Sequence, residues 1–184
     1  TLADRLAVLK DGVIQPGALP TEVYDHPGTL FVAEFIGSPS INLLKGRFNQ
    51  GGIDVAGCRL PLTGTRSEGD VIVGIRPEDI LVGQPDSGVL NATVDLVEPN
   101  GSLAYVFLTL KDVVLSNREH LIATVDVHGA ALKGDRVGLG IRENRVCLFD
   151  PATGTSLSSN GIVPSVDGGG DQVPESSGRP GRKT

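Results

Sequence analysis

Tryptophan and methionine are missing from this chain of 184 residues, and aromatic residues make up only 4% of it. Any core must therefore be built from Val, Leu and Ile, and the length is enough for at least one such core. Basic residues are also scarce: 16 Lys and Arg stand against 22 Asp and Glu, a net charge of -6. Phosphate backbones are held by basic faces, so nucleic acid is disfavoured as a partner. There are two cysteines, Cys58 and Cys147, far apart and without CxxC spacing. They read as buried, reduced, small apolar residues in a reducing, cytoplasmic setting, and nothing supports a disulfide between them. The three histidines, His26, His120 and His128, have no metal-ligand spacing and read as surface residues. No run is long or apolar enough to span a bilayer, and the opening residues do not have the form of a signal peptide. The carboxylates Glu68, Asp70, Glu78, Asp79, Asp95 and Glu98 are scattered at turns and strand ends, with no pair placed for acid and base work.

Glycine (25) and proline (12) are plentiful, which points to many turns and short strands. The opening "DRLAVLKDGVIQPG" reads as a hairpin, with strands around residues 5–9 and 13–15. "LPTEVYDHP" follows as a short helix capped by Thr21 and ended by Pro27. In "TLFVAEFIGSPSINLL", Phe31 stands four before Phe35 and Val32 four before Ile36, so a helix over 30–36 is apolar nearly all round and should be buried. Gly37, Ser38 and Pro39 then stop it, as a hinge between two bodies would.

From Ile41 onward the pattern is all-β. Nine short runs, from "LLKGRFN" to "NRVCLF", are separated by turn signals such as Asn49-Gln50-Gly51-Gly52 and Glu98-Pro99-Asn100-Gly101. They predict a small barrel or sandwich. Residues 42–83 and 88–150 each hold several strands and read as candidate folding units. Beyond Asp150, which is placed to cap the turn made with Pro151, apolar content falls. Residues 158–184 are rich in Gly, Ser and Pro and are expected to be disordered.

Seven pieces stand together in one order: "LADRLAVLKDGVIQ", "PTEVYDHP", "LFVAEFIGSPSINLL", "VIVGIRPEDI", "VEPNGSLAYVFLTL", "KGDRVGLGI" and "LFDPATG". Over residues 2–154 the chain resembles the ATP-binding subunits of ABC importers of the maltose and carbohydrate type. Two loops depart from the pattern: an extra residue between Gly17 and Pro20, and a longer connection around residues 111–120. The resemblance implies a mainly β fold, an OB-like β-barrel regulatory region of the transport-associated OB (TOBE) type over 42–150, preceded by a small α/β remnant of an ABC ATPase domain over 1–37. "TLADR" resembles the stretch just after the family's histidine switch, which would put the catalytic parts upstream. The helix over 30–36 would then pack on an ATPase body.

The family's full-length subunits use ATP and magnesium, and the resemblance implies no cofactor for this stretch. No GxxxxGK[ST] and no LSGGQ-like signature occur in it, so hydrolysis is not expected. Implied partners are a second copy of the subunit and, through the ATPase domain, ABC permease subunits. No direct membrane insertion is implied; the assembled subunit would be cytoplasmic and peripheral to the inner face of the plasma membrane. The implied role is regulation and dimerisation in carbohydrate or polyol phosphate uptake. A free-standing TOBE-type module binding a small oxyanion is the alternative.

Two sets of residues are singled out. "GIRPEDI" supplies Gly74, Arg76, Pro77, Glu78 and Asp79, either as a family signature near the regulatory interface or as a turn held by a surface ion pair of Arg76 with Glu78 or Asp79. The inter-domain seam comprises Phe31, Phe35, Ile36, Gly37, Ser38, Pro39 and Asn42. Tyr105 and Phe107 share one face of a strand and are read as core rather than as a base-stacking pair. Because the barrel's own strands begin after the hinge, removal of residues 1–37 is expected to improve solubility without unfolding the β region.

Overall fold

The computed structural model describes residues 9–10, 13–14, 20–49, 52–55, 58–63, 68–111, 115–142, 145–157 and 163–164. The hairpin β1 (Leu9–Lys10) and β2 (Val13–Ile14) is followed by helices α1 (Pro20–Asp25) and α2 (Leu30–Phe35). Then come β3 (Asn42–Asn49), β4 (Gly52–Val55), β5 (Cys58–Thr63), β6 (Gly69–Ile75) and, after the 3-10 turn Pro77–Asp79, β7 (Ile80–Gly83). The rest comprises β8 (Leu90–Asn100), β9 (Leu103–Leu110), β10 (Leu121–Asp126), β11 (Arg136–Ile141), β12 (Val146–Phe149) and β13 (Val163–Pro164). The expected outer parts of the first hairpin lie outside the described residues. So does the expected disordered tail, apart from Val163 and Pro164, which pair with Thr63 and Leu62.

Two antiparallel sheets close over one core. One is ordered β12-β6-β3-β4-β5-β13, the other β10-β9-β8-β11-β7. Leu44, Val73 and Leu148 from the first meet Val94, Val106, Leu108 and Leu139 from the second in a single apolar cluster. The division at residues 83 and 88 does not divide this core. β7, from the earlier segment, pairs in the second sheet, and β12, from the later one, pairs in the first.

β6, β12 and the first part of β3 are covered on both faces, so buried residues follow one another there instead of alternating. Val71, Val73 and Ile75 point into the barrel, whereas Leu43, Ile72 and Phe149 point outward into a second cluster with Ile41 and Ala33 of α2. Thr29 caps α2 by accepting from Val32 N–H. The helix is also fastened at its start, where Leu30 N–H donates to Gly154 O at 2.7 Å. Asp150 turns that loop as the sequence indicates, its Oδ1 accepting from the N–H groups of Ala152 and Thr153.

Several expectations are corrected. α1 begins at Pro20, so Thr21 lies inside the helix; proline is at home in a first turn, where its missing N–H is not needed. β5 was not anticipated because Pro61 sits within it, yet its backbone still pairs with β4. Tyr105 and Phe107 are not core: Ala104, Val106 and Leu108 take the inward positions of β9, and the two aromatics lie half-buried on the outer face. Cys58 and Cys147 are free but only half-buried.

The apolar α2 is a cover for the barrel. Val32 and Ala33 are buried, while Phe35 is 72% exposed. A chain beginning at Ser40 would therefore uncover Ile41, Leu43, Ile72 and Phe149, side chains whose burial is worth about 1.5–3 kcal/mol each. It is expected to melt well below the full chain, contrary to the sequence-based expectation; equal melting temperatures would show that the helix contributes nothing. Gly74 tests the same packing. A Cβ there would lie 2.8 Å from Ile41 Cδ1 and 3.1 Å from Phe149 Cε2. Overpacking should make Gly74→Ala less stable by about 1–3 kcal/mol in chemical denaturation.

Candidate functional site

Neither α1 nor α2 carries a basic residue in its last turn, although helix C-termini leave carbonyls without donors and favour a cation there. The barrel supplies one. Arg76, at the end of β6 and 3% exposed, donates through Nη1 to Ala33 O at 3.0 Å and Ile36 O at 2.5 Å, and through Nη2 to Tyr24 O at 3.0 Å. Its guanidinium also lies over the Tyr24 ring, 4.0 Å from the centroid. A planar fork can serve three carbonyls and a ring face at once; an ammonium cannot. Its Nε is buried without an acceptor.

The next residues complete the clasp. Pro77 starts the 3-10 turn and is buried with Asp79. Glu78 accepts from the Tyr24 hydroxyl. Asp79 Oδ1 lies 3.3 Å from Arg145 Nε and 3.6 Å from Arg142 Nε, and Arg145 Nη1 reaches Asp25 Oδ1 at 3.1 Å. Arg145 thus bridges the barrel turn and the end of α1. The expected ion pair of Arg76 with Glu78 or Asp79 is not formed: Arg76 is spent on carbonyls, and each acid takes another partner. Gly74 sits one step back, where only hydrogen fits beneath Ile41 and Phe149.

Of the seam residues, Ile36 is joined to Arg76 directly and Gly37 adjoins it, with φ +119° and space that a Cβ would take from Arg76 Nη1 at 3.1 Å. Ser38 is exposed and Pro39 half-buried, across a cis peptide bond. Phe31 and Phe35 stack at 6.1 Å on the side of α2 that leaves Phe35 open to solvent. Asn42 is elsewhere. Fully buried, it donates to Ile75 O at 3.1 Å and Ile122 O at 2.9 Å and accepts from Ile122 N–H at 2.8 Å, pinning the two sheets together. Sequence reasoning missed Tyr24, Asp25, Arg142 and Arg145; their spacing carries no signal, because the contacts span 52 to 120 residues.

Burial, then the hydrogen bond to Glu78 and its charge, push the Tyr24 phenol up to about 12. Burial also raises the Asp79 carboxyl, with Arg145 opposing. Arg145, beside Asp79, is held above the usual guanidinium value. The partners move in different directions of stability because Asp79 bears most of the desolvation. Burial raises the Cys147 thiol to about 11, out of the reactive range. Among the described residues no group of His, Cys, Asp or Glu fits a metal ion.

A clasp of this kind tethers a helical cap to a barrel. Sequence comparison identifies the β region. Residues 37–80 match the MalK OB fold domain and residues 73–149 the TOBE domain, and the two matches overlap on the stretch that carries Gly74, Arg76 and Asp79. The β region of this chain belongs to these MalK-type OB and TOBE domain families. The chain is 36% identical over 169 residues to a xylose/arabinose import ATP-binding protein, XacJ, of Haloferax volcanii, covering 85% of this chain and 44% of the relative. It is 32% identical to a sn-glycerol-3-phosphate import ATP-binding protein, UgpC, of Psychromonas ingrahamii, covering 83% and 42%. It is also 32% identical to a diacetylchitobiose uptake system ATP-binding protein, MsiK, of Streptomyces coelicolor, covering 86% and 47%. The chain thus spans less than half the length of these relatives. A looser likeness to the molybdate-binding protein ModG, with TM-score 0.45 at 17% identity over 60% of this chain and 96% of that one, carries no weight.

The Tyr24 contact predicts an alkaline dependence. A phenol whose folded value lies above its unfolded value of about 10 lends stability that is whole below pH ~10 and is lost as pH rises toward ~12. Thermal melts across that window should fall for the full chain, and Tyr24→Phe should remove this component. Identical slopes for the two proteins would dissolve the link.

Proposed function

We propose that this chain is the C-terminal regulatory and dimerisation portion of an ATP-binding subunit of an ABC importer for a carbohydrate or polyol phosphate. The observation that carries the reading is the similarity to import ATP-binding proteins over more than four-fifths of the chain. In this reading the stacked Phe31 and Phe35 on the outer side of α2 meet an ATPase domain, and the clasp passes its movement to the barrel. The barrel meets that of a second copy, and the permease is engaged through the ATPase domain. Gly74, Arg76, Pro77, Glu78 and Asp79 are then positioning residues between the two bodies. The assembled subunit would lie at the cytoplasmic face of the membrane; among the described residues no helix is long and apolar enough to cross one.

ATP and magnesium would belong to the ATPase domain. Both described helices have six residues, and neither follows a glycine-rich loop ending in Lys and Ser or Thr, so no step through a nucleotide is assigned to these residues. The purified chain is expected to show no saturable binding of a labelled ATP analogue in the micromolar range and to form a reversible dimer in sedimentation equilibrium. Saturable nucleotide binding, or a strict monomer at every concentration, would contradict the proposal.

A further inference from the structure

We propose that the cleft between residues 115–120 and the outer face of β9 and β10 binds a small neutral polyhydroxylated molecule, a monosaccharide or polyol. The site lies apart from the clasp and rests on its own residues. It is an open depression of about 510 Å³, and Ser40, Phe107, Asn117, Arg118, Glu119 and His120 line it.

Phe107 has no place in the core, yet its ring is held in position. His120 meets it edge-on at 6.5 Å and 78°, and His120 Nε2 lies 3.3 Å from Asp95 Oδ2, which also accepts from the Thr109 hydroxyl. A half-buried, oriented ring is a surface on which the C–H face of a sugar or polyol packs.

Around the ring stand hydrogen-bonding groups that the fold has not used. Arg118 is anchored by Nη2 alone, to Ser40 O at 3.0 Å, Ile41 O at 3.2 Å and the Ser40 hydroxyl. Among the described residues no carboxylate comes within ion-pair distance of it, which leaves Nη1 and Nε as donors. Glu119 carries an exposed carboxylate beside it. Asn117 donates to Ile41 O at 3.0 Å, and its Oδ1 is a buried acceptor without a donor.

Both kinds of unused group favour a ligand whose groups both give and take hydrogen bonds, as hydroxyls do. A phosphate only accepts. It would be attracted by Arg118 but opposed by Glu119, by Asn117 Oδ1 and by Glu34, whose charge already acts on Arg118.

The test is nuclear magnetic resonance titration of the full isotopically labelled chain with glycerol, xylose and glucose, with glycerol 3-phosphate as the anionic arm. Saturable shifts at residues 107 and 117–120 with a neutral probe are expected, weakened about tenfold by Glu119→Ala and by Phe107→Leu. Glu119 is exposed, so its variant keeps the test valid if the Phe107 variant fails to fold. Absence of saturation, a response to glycerol 3-phosphate alone, or unchanged affinity in Glu119→Ala would overturn the proposal.

Discussion

A guanidinium withdrawn from water must find acceptors, because an unpaired buried charge is among the costliest features a fold can hold. Arg76 finds three, all of them backbone carbonyls at the ends of α1 and α2. The dependence is mutual. Those carbonyls have no donors within their own short helices, and helices of one and a half turns do not persist without tertiary support. The position of the helices relative to the barrel therefore follows from one side chain's geometry, with Glu78, Asp79 and Arg145 fixing Tyr24 and Asp25 around it.

The packing beneath follows from the same arrangement. With α2 held down, β6, β12 and the start of β3 can be apolar on both faces, and Ile41, Leu43, Ile72 and Phe149 form a second core outside the barrel. Gly74 is glycine because this outer core closes directly over the strand. Asn42 does the corresponding work between sheets: a buried amide whose donor and acceptor are both used on Ile75 and Ile122, so it adds specificity without leaving an unpaired group. Helices, seam and barrel thus share contacts at every level, and a movement imposed on the helices has little freedom to stop short of the β region.

The strand pattern was legible because period-two alternation and glycine turns are local signals. β8 and β9 with the Asn100-Gly101 turn show this directly, Gly101 taking φ +67°. α2 was legible as a buried helix, but its partner was not: the same apolar spacing suits an ATPase body on one side and Phe149 on the other, and it touches the barrel through Leu30 and Ala33 while leaving Phe35 out. β5 was hidden by Pro61, a residue without an N–H, which argues against a strand unless no neighbour needs that donor. The motif around Arg76 was visible as a motif, whereas its chemistry was not. An arginine two residues before a glutamate suggests an ion pair, and only the fold shows Ala33, Ile36 and Tyr24 reaching it from forty or more residues away. Tyr105 and Phe107 were read as core because no Lys or Arg cluster accompanies them, but β9 spends its inward positions on Ala104, Val106 and Leu108.

The most direct test of the clasp is hydrogen exchange of the full chain beside Arg76→Met. In the unaltered protein the amides of Ala33 and Ile36, bonded to Thr29 O and Val32 O, should exchange only through the same opening that frees Leu44 and Val73 in the paired strands β3 and β6. Charge-assisted hydrogen bonds are worth about 1.5–3 kcal/mol each, so the variant should drop the two helix amides by several orders of magnitude in protection while Leu44 and Val73 stay slow. Helix amides that exchange far faster than the strands in the unaltered chain, or that are indifferent to the substitution, would contradict the clasp as the element holding cap and barrel together.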